Sequence, residues 1–438
     1  MKLLLLLPGG QPHRLRFGPW ARSFREAPLT LTTLAALVPT ELNAHLRLVD
    51  GSIEPIPLDE KFDLVAISCM TGTSLRAYQM ADHFRSRGTT VVLGGVHVTL
   101  RPDEARKHAS SIVRGFAEQT WPQLLRDFAA RRLQPEYHAA KADLRGLPLP
   151  RRDLQHNWGY MMPNTVFATR GCKSACDFCS VPAAGFGWQT RPVADVIDEI
   201  RRLPGRRFAF NDVSLNEDRD YARELFTALV PLKKMWGGLA TTRIAEDEEL
   251  LDLMAASGCV FLLLGFESVA QSSLDRMGKC FNRAQNYARV ARALHQRGII
   301  IQGCFIFGLD DDTPQVFDET VAVVNDLRID IPRYALYTPY PGTRAFDRLK
   351  SEGGLLHEHW EHYDTQHVVI QPRGMTPGEL DAGFIHAYRE TFRLKSIWHR
   401  TAQARQFAIA FIGNLAYRRY VRRLESDHNR IHRPVSVN

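Results

Sequence analysis

The chain has 438 residues, which is more than one ordinary domain and predicts two or three. Its content of 45% hydrophobic and 24% charged residues is typical of a globular protein with a sizeable core, and no run of eighteen apolar residues is present to span a membrane. The net charge of +8 comes from basic residues that are scattered until the C-terminus, so nucleic acid is not an expected partner.

The cysteine content indicates a reducing compartment. Three of the seven cysteines lie within eight residues and four are scattered, which is not the pattern of a disulfide framework. The apolar run at residues 3–7 is too short for a secretion signal and is followed at once by Pro8-Gly9-Gly10. We therefore expect a cytoplasmic protein, and we expect it to be a monomer.

Residues 1–140 alternate short apolar strands with helices. Predicted strands cover residues 2–7, 45–49, 62–68, 90–95 and 111–115, and predicted helices cover residues 27–38 and 74–87. This α/β alternation predicts a doubly wound, Rossmann-like parallel sheet. Ligands bind beyond the carboxyl ends of such strands, where glycines at residues 8–10, 71–73 and 94–97 permit close approach of the backbone.

A second α/β unit follows a linker at residues 141–160, which contains Leu147-Pro148-Leu149-Pro150. Within residues 161–370, predicted strands cover 165–168, 207–213, 237–241, 260–265, 299–307 and 334–338, with helices between them. Six strands alternating with helices predict a partial (β/α)6 TIM-like barrel, whose active site would lie at the carboxyl ends of the strands.

Residues 371–438 predict a helical, basic C-terminal extension. Its second helix, at residues 396–423, carries many arginines around an apolar run at 407–412. An amphipathic basic helix of this kind can rest on an anionic membrane surface or contact a lipid. A helix that packs on the barrel and leaves its basic face in water is the alternative, and we favour it.

A loop after the first barrel strand contains Cys172, Cys176 and Cys179 in the spacing C-x3-C-x2-C. Such short spacings let several thiolates converge on one iron–sulfur cluster, and three protein ligands leave one iron of a four-iron cluster open. A zinc site is the competing hypothesis, but it needs a fourth protein ligand and no second pair follows. Three unrelated buried thiols are the third alternative.

With the aromatic Phe178 before its last cysteine, this motif resembles the signature of the radical S-adenosylmethionine (SAM) superfamily. The resemblance implies a [4Fe-4S] cluster whose open iron is chelated by the amino and carboxylate groups of SAM. It further implies that the reduced cluster cleaves SAM to a 5′-deoxyadenosyl radical, with electrons from a donor such as flavodoxin or ferredoxin.

Three further strand ends resemble the SAM-binding motifs of that superfamily. They are Asn211-Asp212 after the second barrel strand, Gly265-Phe266-Glu267-Ser268 after the fourth, and Gly308-Leu309-Asp310 after the fifth. The resemblance implies SAM contacts from Phe178, Asp212, Gly265, Glu267, Ser268 and Gly308. Asn211 departs from the acidic pair of the relatives. The structural alternatives are helix N-caps for Asp212 and for Glu267–Ser268, and a plain turn at Gly308.

The first segment resembles the cobalamin-binding domain that precedes many radical SAM domains, through Val92-Leu93-Gly94-Gly95-Val96-His97 and Arg114-Gly115-Phe116-Ala117-Glu118. The resemblance implies cobalamin contacts from Gly72, Thr73, Gly94 and Gly95. The cobalt-ligating pattern D-x-H-x-x-G is missing, so neither His13 nor His97 is assigned to cobalt. A flavodoxin-like module without cofactor is the alternative.

Taken together, these resemblances imply a cobalamin-dependent radical SAM methyltransferase of class B type. Its substrate would be an unactivated carbon of a small molecule or lipid, and Tyr337 to Thr343 resembles a rim segment that lines substrate pockets in relatives. A tetrapyrrole-type cyclase or rearrangement enzyme is the alternative with the same cofactors. A redox or tRNA-binding iron–sulfur protein is the alternative from another class, although no RNA-binding module is evident.

Overall fold

A computed structural model describes residues 1–10, 14–17 and 20–431, so that His13 lies outside the described residues. The elements of the N-terminal part are β1 (Lys2–Leu7), β2 (Arg14–Phe17), β3 (Trp20–Glu26), α1 (Leu29–Ala36), β4 (His45–Asp50), β5 (Leu64–Ser68), α2 (Ser74–Ser86), β6 (Thr90–Gly94), α3 (Val96–Leu100), α4 (Pro102–Ala105), β7 (Ser111–Gly115), α5 (Thr120–Ala129) and β8 (Glu136–Ala139).

Six of these strands form one parallel sheet in the order β4-β1-β5-β6-β7-β8. The unbroken leucine run of β1 follows from burial of both sheet faces: Leu4 and Leu6 pack with α2, while Leu3 and Leu5 pack with α1 and α5. The strand order reverses at β1, and doubly wound sheets bind ligands at this position. The predicted Rossmann-like sheet is confirmed, although β8 was not predicted.

The remaining elements are β9 (Tyr160–Met162), β10 (Thr165–Val166), β11 (Thr169–Arg170), α6 (Ser180–Ala183), β12 (Gln189–Thr190), α7 (Val193–Arg202), β13 (Arg207–Phe210), α8 (Arg219–Leu229), β14 (Met235–Ala240), α9 (Glu248–Ala256), β15 (Cys259–Glu267), α10 (Gln271–Arg276), α11 (Tyr287–Gln296), β16 (Ile300–Phe307), α12 (Val316–Asp326), β17 (Ile331–Leu336), α13 (Arg344–Ser351), α14 (Pro377–Thr391), α15 (Leu394–Thr401) and α16 (Phe407–Ile431).

Six parallel strands form the predicted partial barrel in the order β10-β13-β14-β15-β16-β17. Residues of β15, β16 and β17 alternate between buried positions, which face the surrounding helices, and half-buried positions, which face the open interior. Pro332 is tolerated because β17 is an edge strand. This strand begins three residues before the predicted one.

A small sheet joins the two α/β units. Its order is β2-β3-β9, so it combines the hairpin after β1 with a strand that begins at the last residue of the predicted linker. Around it, Thr165 Oγ1 donates a hydrogen bond to the Ala27 carbonyl at 2.9 Å, and Tyr160 Oη donates to Asp50 at 2.8 Å. Because these polar contacts are buried, they tie the first sheet to the first barrel strand.

The C-terminal helices pack on the barrel. A capping box between Thr376 and Glu379 starts α14, and α16 buries Ala410 and Asn414 while Ile412 and Leu415 on its other side stay exposed. Packing on the barrel is therefore confirmed for this helix. Among the described residues, no helix is both long and apolar enough to cross a bilayer.

Tyr388 of α14 holds the edge strand β17 in place. Its buried hydroxyl accepts the Tyr334 N–H at 3.1 Å and donates to the Tyr334 carbonyl at 2.9 Å. Tyr388→Phe leaves both backbone groups unpaired, so we expect the free energy of unfolding to fall by about 1–3 kcal/mol. Urea unfolding followed by tryptophan fluorescence measures this change. An unchanged unfolding midpoint would mean that water satisfies these groups and that the hydroxyl is dispensable.

Candidate active site

A short hairpin presents the cysteine loop. Thr169 and Arg170 of β11 pair antiparallel with Thr190 and Gln189 of β12. Gly171 begins the loop with a φ of +75°, and a Cβ there would overlap the Gly187 carbonyl, so this turn requires glycine. The loop therefore leaves the barrel at a defined point, directly after the end of β10.

Asp212 fixes the chain where it enters this hairpin. Its carboxylate accepts the Ala168 N–H at 3.1 Å, the Thr169 N–H, and the Thr169 hydroxyl at 2.7 Å. Burial raises the pKa of Asp212 to about 6, and these donors act in the opposite direction. The structure thus brings Asp212 to the backbone of the cysteine loop, whereas the sequence predicted a SAM contact.

The far end of the loop is held by two further backbone hydrogen bonds. The Asp177 N–H donates to the Met277 carbonyl at 3.1 Å, and the Ala345 N–H at the start of α13 donates to the Asp177 carbonyl at 3.2 Å. Phe178 packs beside Tyr337, with 6.5 Å between ring centroids, so the predicted rim segment after β17 contacts the cysteine loop.

The three predicted ligand thiols are half-buried and close enough to influence one another. The pKa of Cys176 is raised to about 11, chiefly by burial; the Lys279 ammonium opposes this rise, and the other two thiols act in the same direction as burial. Among the described residues, no three His, Cys, Asp or Glu side chains are already grouped as a single ion requires. Three soft ligands without a fourth fit a four-iron cluster with one open iron better than a tetrahedral zinc site.

Glu267 is turned into the barrel interior by an irregular end of β15. The register of β15 against β16 shifts between Gly265 and Glu267, and Glu267 has a φ of +66°. Its carboxylate pairs with the buried ammonium of Lys279. A Cβ on Gly265 would overlap Glu267 Oε1 and lie 2.6 Å from Lys279 Nζ, so Gly265 leaves the space that this ion pair occupies.

Lys279 was missed by sequence reasoning. It lies within electrostatic range of Cys176, Cys179 and Cys304, so the ion pair sits beside the cysteine loop. A cation and a carboxylate beside the cysteine loop would suit the zwitterionic amino acid part of SAM bound to a cluster held there. A lone lysine after α10 carries no local signal for this role, because its partner is twelve residues away and meets it only through the bulge.

Ser268 and Gly308 occupy supporting positions. Ser268 Oγ accepts the Ala270 N–H at 3.0 Å in a turn before α10, whose N-cap is Ala270 and has no side-chain capping bond, so Ser268 is not the N-cap of this helix. The N–H of Gly308 donates to Asp312 at 2.9 Å, and its φ is +91°. A Cβ on Gly308 would meet Leu380 of α14 at 2.8 Å, so this glycine is required by the turn and by helix packing.

A cavity of about 430 Å³ lies between the first sheet and the cysteine hairpin, within the usual range for ligand pockets. The first domain contributes the predicted residues Thr73, Gly94 and Gly95, together with Gly9 at the switch point of the sheet. The barrel contributes the following residues: Thr169, Arg170, Gly171, Val181, Phe186, Asn211 and Val213. The same hairpin therefore bounds this cavity and carries the three cysteines predicted to bind the cluster.

Contacts between the two domains close one side of this cavity. Arg170 lies 3.4 Å from the Glu118 carboxylate, and the rings of Phe116 and Phe186 lie 5.0 Å apart. A Cβ on Gly95 would meet the Cys69 carbonyl at 2.5 Å, and a φ of +103° independently requires glycine there. Glycine at this position therefore lets the loop after β6 pack closely on the loop after β5 at the edge of the cavity.

Two residues of this region lie away from the cavity. Gly72 packs against the second domain, where a Cβ would meet the Tyr363 carbonyl at 3.1 Å. His97 is fully buried, with Nδ1 3.2 Å from Thr71 Oγ1 and Nε2 3.6 Å from Glu104. Among the described residues that line the cavity there is no histidine.

Comparison with known proteins identifies the family. The model of the radical SAM superfamily matches residues 166–324, and that of the B12 binding domain matches residues 42–125. The chain is 31% identical over 91% of its length, and 89% of the relative's, to bacteriochlorophyllide d C-12(1)-methyltransferase of Chlorobaculum tepidum. The chain therefore belongs to the radical SAM superfamily, among the members that carry a B12-binding domain.

A second relative and a solved structure agree with this assignment. Bacteriochlorophyllide d C-8(2)-methyltransferase of the same organism is 29% identical over 90% of this chain and 91% of its own. The radical SAM methyltransferase TsrM of Kitasatospora setae, solved with cobalamin and a [4Fe-4S] cluster, has a TM-score of 0.69 at 14% identity. That alignment covers 98% of this chain and 99% of TsrM, and it shows the shared fold.

These comparisons confirm the resemblances found in the sequence. The protein is an enzyme of the cobalamin-dependent radical SAM methyltransferase class, and its cofactors are a [4Fe-4S] cluster, SAM and cobalamin. The donor set of the cysteine loop and the glycine-lined cavity fit the cluster and the cobalamin.

Gly265→Ala tests the arrangement of the Glu267–Lys279 pair. The added methyl group overlaps the carboxylate, so we expect the dissociation constant of SAM to rise at least about tenfold while iron content stays unchanged. Equilibrium dialysis with labelled SAM measures the effect. Gly378→Ala on α14 is the control, because its Cβ would meet no atom within 4 Å. A normal dissociation constant of SAM in Gly265→Ala would show that the Glu267–Lys279 ion pair is not needed for SAM binding.

The absence of histidine among the described residues that line the cavity predicts the spectrum of bound cobalamin. In the full-length protein, electron paramagnetic resonance of the Co(II) form should show no nitrogen hyperfine triplet from a protein histidine, since His97 is buried elsewhere. A triplet that disappears in His97→Gln or His13→Gln would contradict this expectation.

Proposed function

We propose that the protein transfers a methyl group to an unactivated carbon on a substituent of a tetrapyrrole macrocycle. The observation that carries this proposal is the shared hairpin: Thr169, Arg170 and Gly171 line the cavity beside the B12-binding domain, and Cys172 follows directly. A methyl donor and a hydrogen-abstracting group placed on the two sides of one loop can act on the same substrate carbon. The tetrapyrrole class rests on the two bacteriochlorophyllide methyltransferases that match the chain over about nine tenths of its length.

The residues of the chain have two roles: some bind the cofactors, and others exclude water from the cavity. When bound, the cluster with SAM supplies the hydrogen-abstracting radical, and cobalamin supplies the methyl group. Cys172, Cys176 and Cys179 hold the cluster, and the Glu267–Lys279 pair holds the polar end of SAM. Contacts between Phe116 and Phe186 keep water from one side of the cavity, which protects reactive groups inside.

Delivery of electrons and cellular location follow from the same class. We propose that a small electron-transfer protein such as flavodoxin or ferredoxin reduces the cluster, because the three ligand thiols are only half-buried and lie near the surface. A reducing cytoplasm suits both the free cysteines and this donor. We further propose that the enzyme acts as a monomer.

A cyclase of the tetrapyrrole type is the second candidate. Anaerobic magnesium-protoporphyrin IX monomethyl ester cyclase of Cereibacter sphaeroides is 25% identical over 70% of this chain. The matched region is only 56% of that cyclase, whereas it is 89% of the methyltransferase from Chlorobaculum tepidum. The difference in coverage favours methyl transfer.

The stoichiometry of SAM consumption separates methyl transfer from cyclisation. A methyltransferase of this class uses one SAM for the radical and one for the methyl group, so 5′-deoxyadenosine and S-adenosylhomocysteine should appear in roughly equal amounts per product. Bacteriochlorophyllide d is the substrate probe, and liquid chromatography with mass spectrometry quantifies the three products.

The controls make the result decisive. Cys176→Ala, which removes one cluster ligand, should abolish both nucleoside products. A methylated macrocycle without S-adenosylhomocysteine, or 5′-deoxyadenosine with a cyclised and unmethylated product, would discard methyl transfer in favour of the cyclase.

A further inference from the structure

Arg333 places a cation on the inner wall of the barrel. It lies in the middle of β17 between the buried residues Pro332 and Tyr334, whose side chains face the helices, so Arg333 faces the interior. In register it pairs with Cys304 of β16, which in turn pairs with Gly265 of β15. Arg333 therefore lies level with Gly265, one register position below Glu267 and two strands away from it.

Within the described residues, Arg333 has neither an ion pair nor a hydrogen bond. Lys279, which also lies beside the interior, is paired with Glu267, whereas Arg333 has no such carboxylate partner among the described residues. Groups within electrostatic range of Arg333 are the phenols of Tyr417 and Tyr388, the thiol of Cys304 and the carboxylate of Glu26, none of them in salt-bridge contact with it. Arginine stays ionised under all ordinary conditions, and a guanidinium away from bulk water is stabilised chiefly by an anionic partner.

Polar groups below Arg333 extend this site. Gln302 faces the interior two residues before Cys304, and its Nε2 donates to Tyr417 Oη of α16 at 3.0 Å. The helix α16 thus brings a phenol to the inner wall beside the guanidinium. The planar guanidinium of Arg333, with these polar groups beside it, matches a carboxylate that accepts two parallel hydrogen bonds.

The rest of this interior wall is apolar. The half-buried, inward positions of neighbouring strands are held by Leu239, Leu263, Ile306 and Ala335. A ligand that fills this space is therefore largely apolar and carries a negative group on one side. Polar small molecules and neutral lipids fit this combination poorly, whereas a macrocycle with a peripheral carboxylate satisfies both parts.

We propose that Arg333 binds an ionised carboxylate of the substrate and thereby sets which edge of the macrocycle faces the two cofactors. The inference rests on the tetrapyrrole function proposed above and adds the group by which the substrate is recognised. Because Arg333 lies level with Gly265, only one register position below Glu267, a carboxylate held there positions the ring beside the proposed SAM site. Arg333 acts as a binding and orienting residue.

Binding of an acid and its ester to the full-length holoenzyme tests the proposal. The probes are bacteriochlorophyllide d, which has a free carboxylate, and its methyl ester, each measured by equilibrium dialysis with absorbance detection. We expect the wild type to bind the acid about 10- to 100-fold more tightly than the ester, in line with a charged hydrogen-bonded pair. Arg333→Gln should bind the acid as weakly as the ester, and Arg333→Lys should recover part of the preference.

Two variants serve as controls. Arg292→Gln removes an exposed arginine from the outer face of α11, so it should keep the preference for the acid. Glu26→Gln removes the nearest carboxylate from the surroundings of Arg333 and should leave that preference intact or increase it. If Glu26→Gln lost the preference to the same degree as Arg333→Gln, Arg333 would serve the barrel wall rather than the substrate.

Other results overturn the proposal in recognisable ways. Equal binding of acid and ester by the wild type would reject the carboxylate site while leaving the tetrapyrrole function in place. No binding of either probe would reject the tetrapyrrole class itself, and the inference with it. A raised dissociation constant for SAM in Arg333→Gln, with unchanged macrocycle binding, would assign Arg333 to SAM instead.

Discussion

The buried Asp212 carboxylate is the contact on which the arrangement of the cofactor sites depends. By accepting backbone hydrogen bonds from Ala168 and Thr169, it ends β10 after two residues and turns the chain into the β11–β12 hairpin. A buried carboxylate without hydrogen-bond donors would be protonated and neutral. Without the Asp212 carboxylate, the buried N–H groups of Ala168 and Thr169 would be unpaired, so the carboxylate and the backbone groups stabilise each other. The consequence is a hairpin with the cobalamin cavity on one side and the cluster ligands directly after it.

A second constraint operates at the end of β15. A positive φ at Glu267 is unfavourable by about 1–3 kcal/mol for a residue that is not glycine, and it persists because the bulge and the buried Lys279 define the conformation. Gly265 supplies the space for the ion pair. The positive φ of Glu267, the absence of a side chain at Gly265 and the ion pair with Lys279 act together. They place a carboxylate and an ammonium in the barrel interior beside the cysteine loop.

The interface between the domains depends on polar contacts that no single segment reveals. Trp360 Nε1 donates to the Glu104 carboxylate at 3.1 Å, and the ring of Trp360 lies 5.7 Å from that of His97. His97 is thus used for docking the cobalamin domain on the barrel, which explains why it is buried and remote from the cavity. Gly72, packed on the Tyr363 carbonyl, belongs to the same interface.

The order of most strands and helices, the Rossmann-like sheet and the partial barrel were predictable from the sequence, as was the iron–sulfur cofactor; its three cysteine ligands stay a prediction. These inferences depend on local patterns: the apolar runs of β1 and β15 and the eight-residue cysteine motif each lie within one short segment. Only the tertiary structure decided that Asp212 binds the backbone at the start of the hairpin, that Lys279 pairs with Glu267 beside the cysteine loop and that Arg333 faces the interior. These roles depend on residues that lie twelve to more than a hundred positions apart and meet only when parallel strands come into register, and a single sequence carries no signal for such meetings.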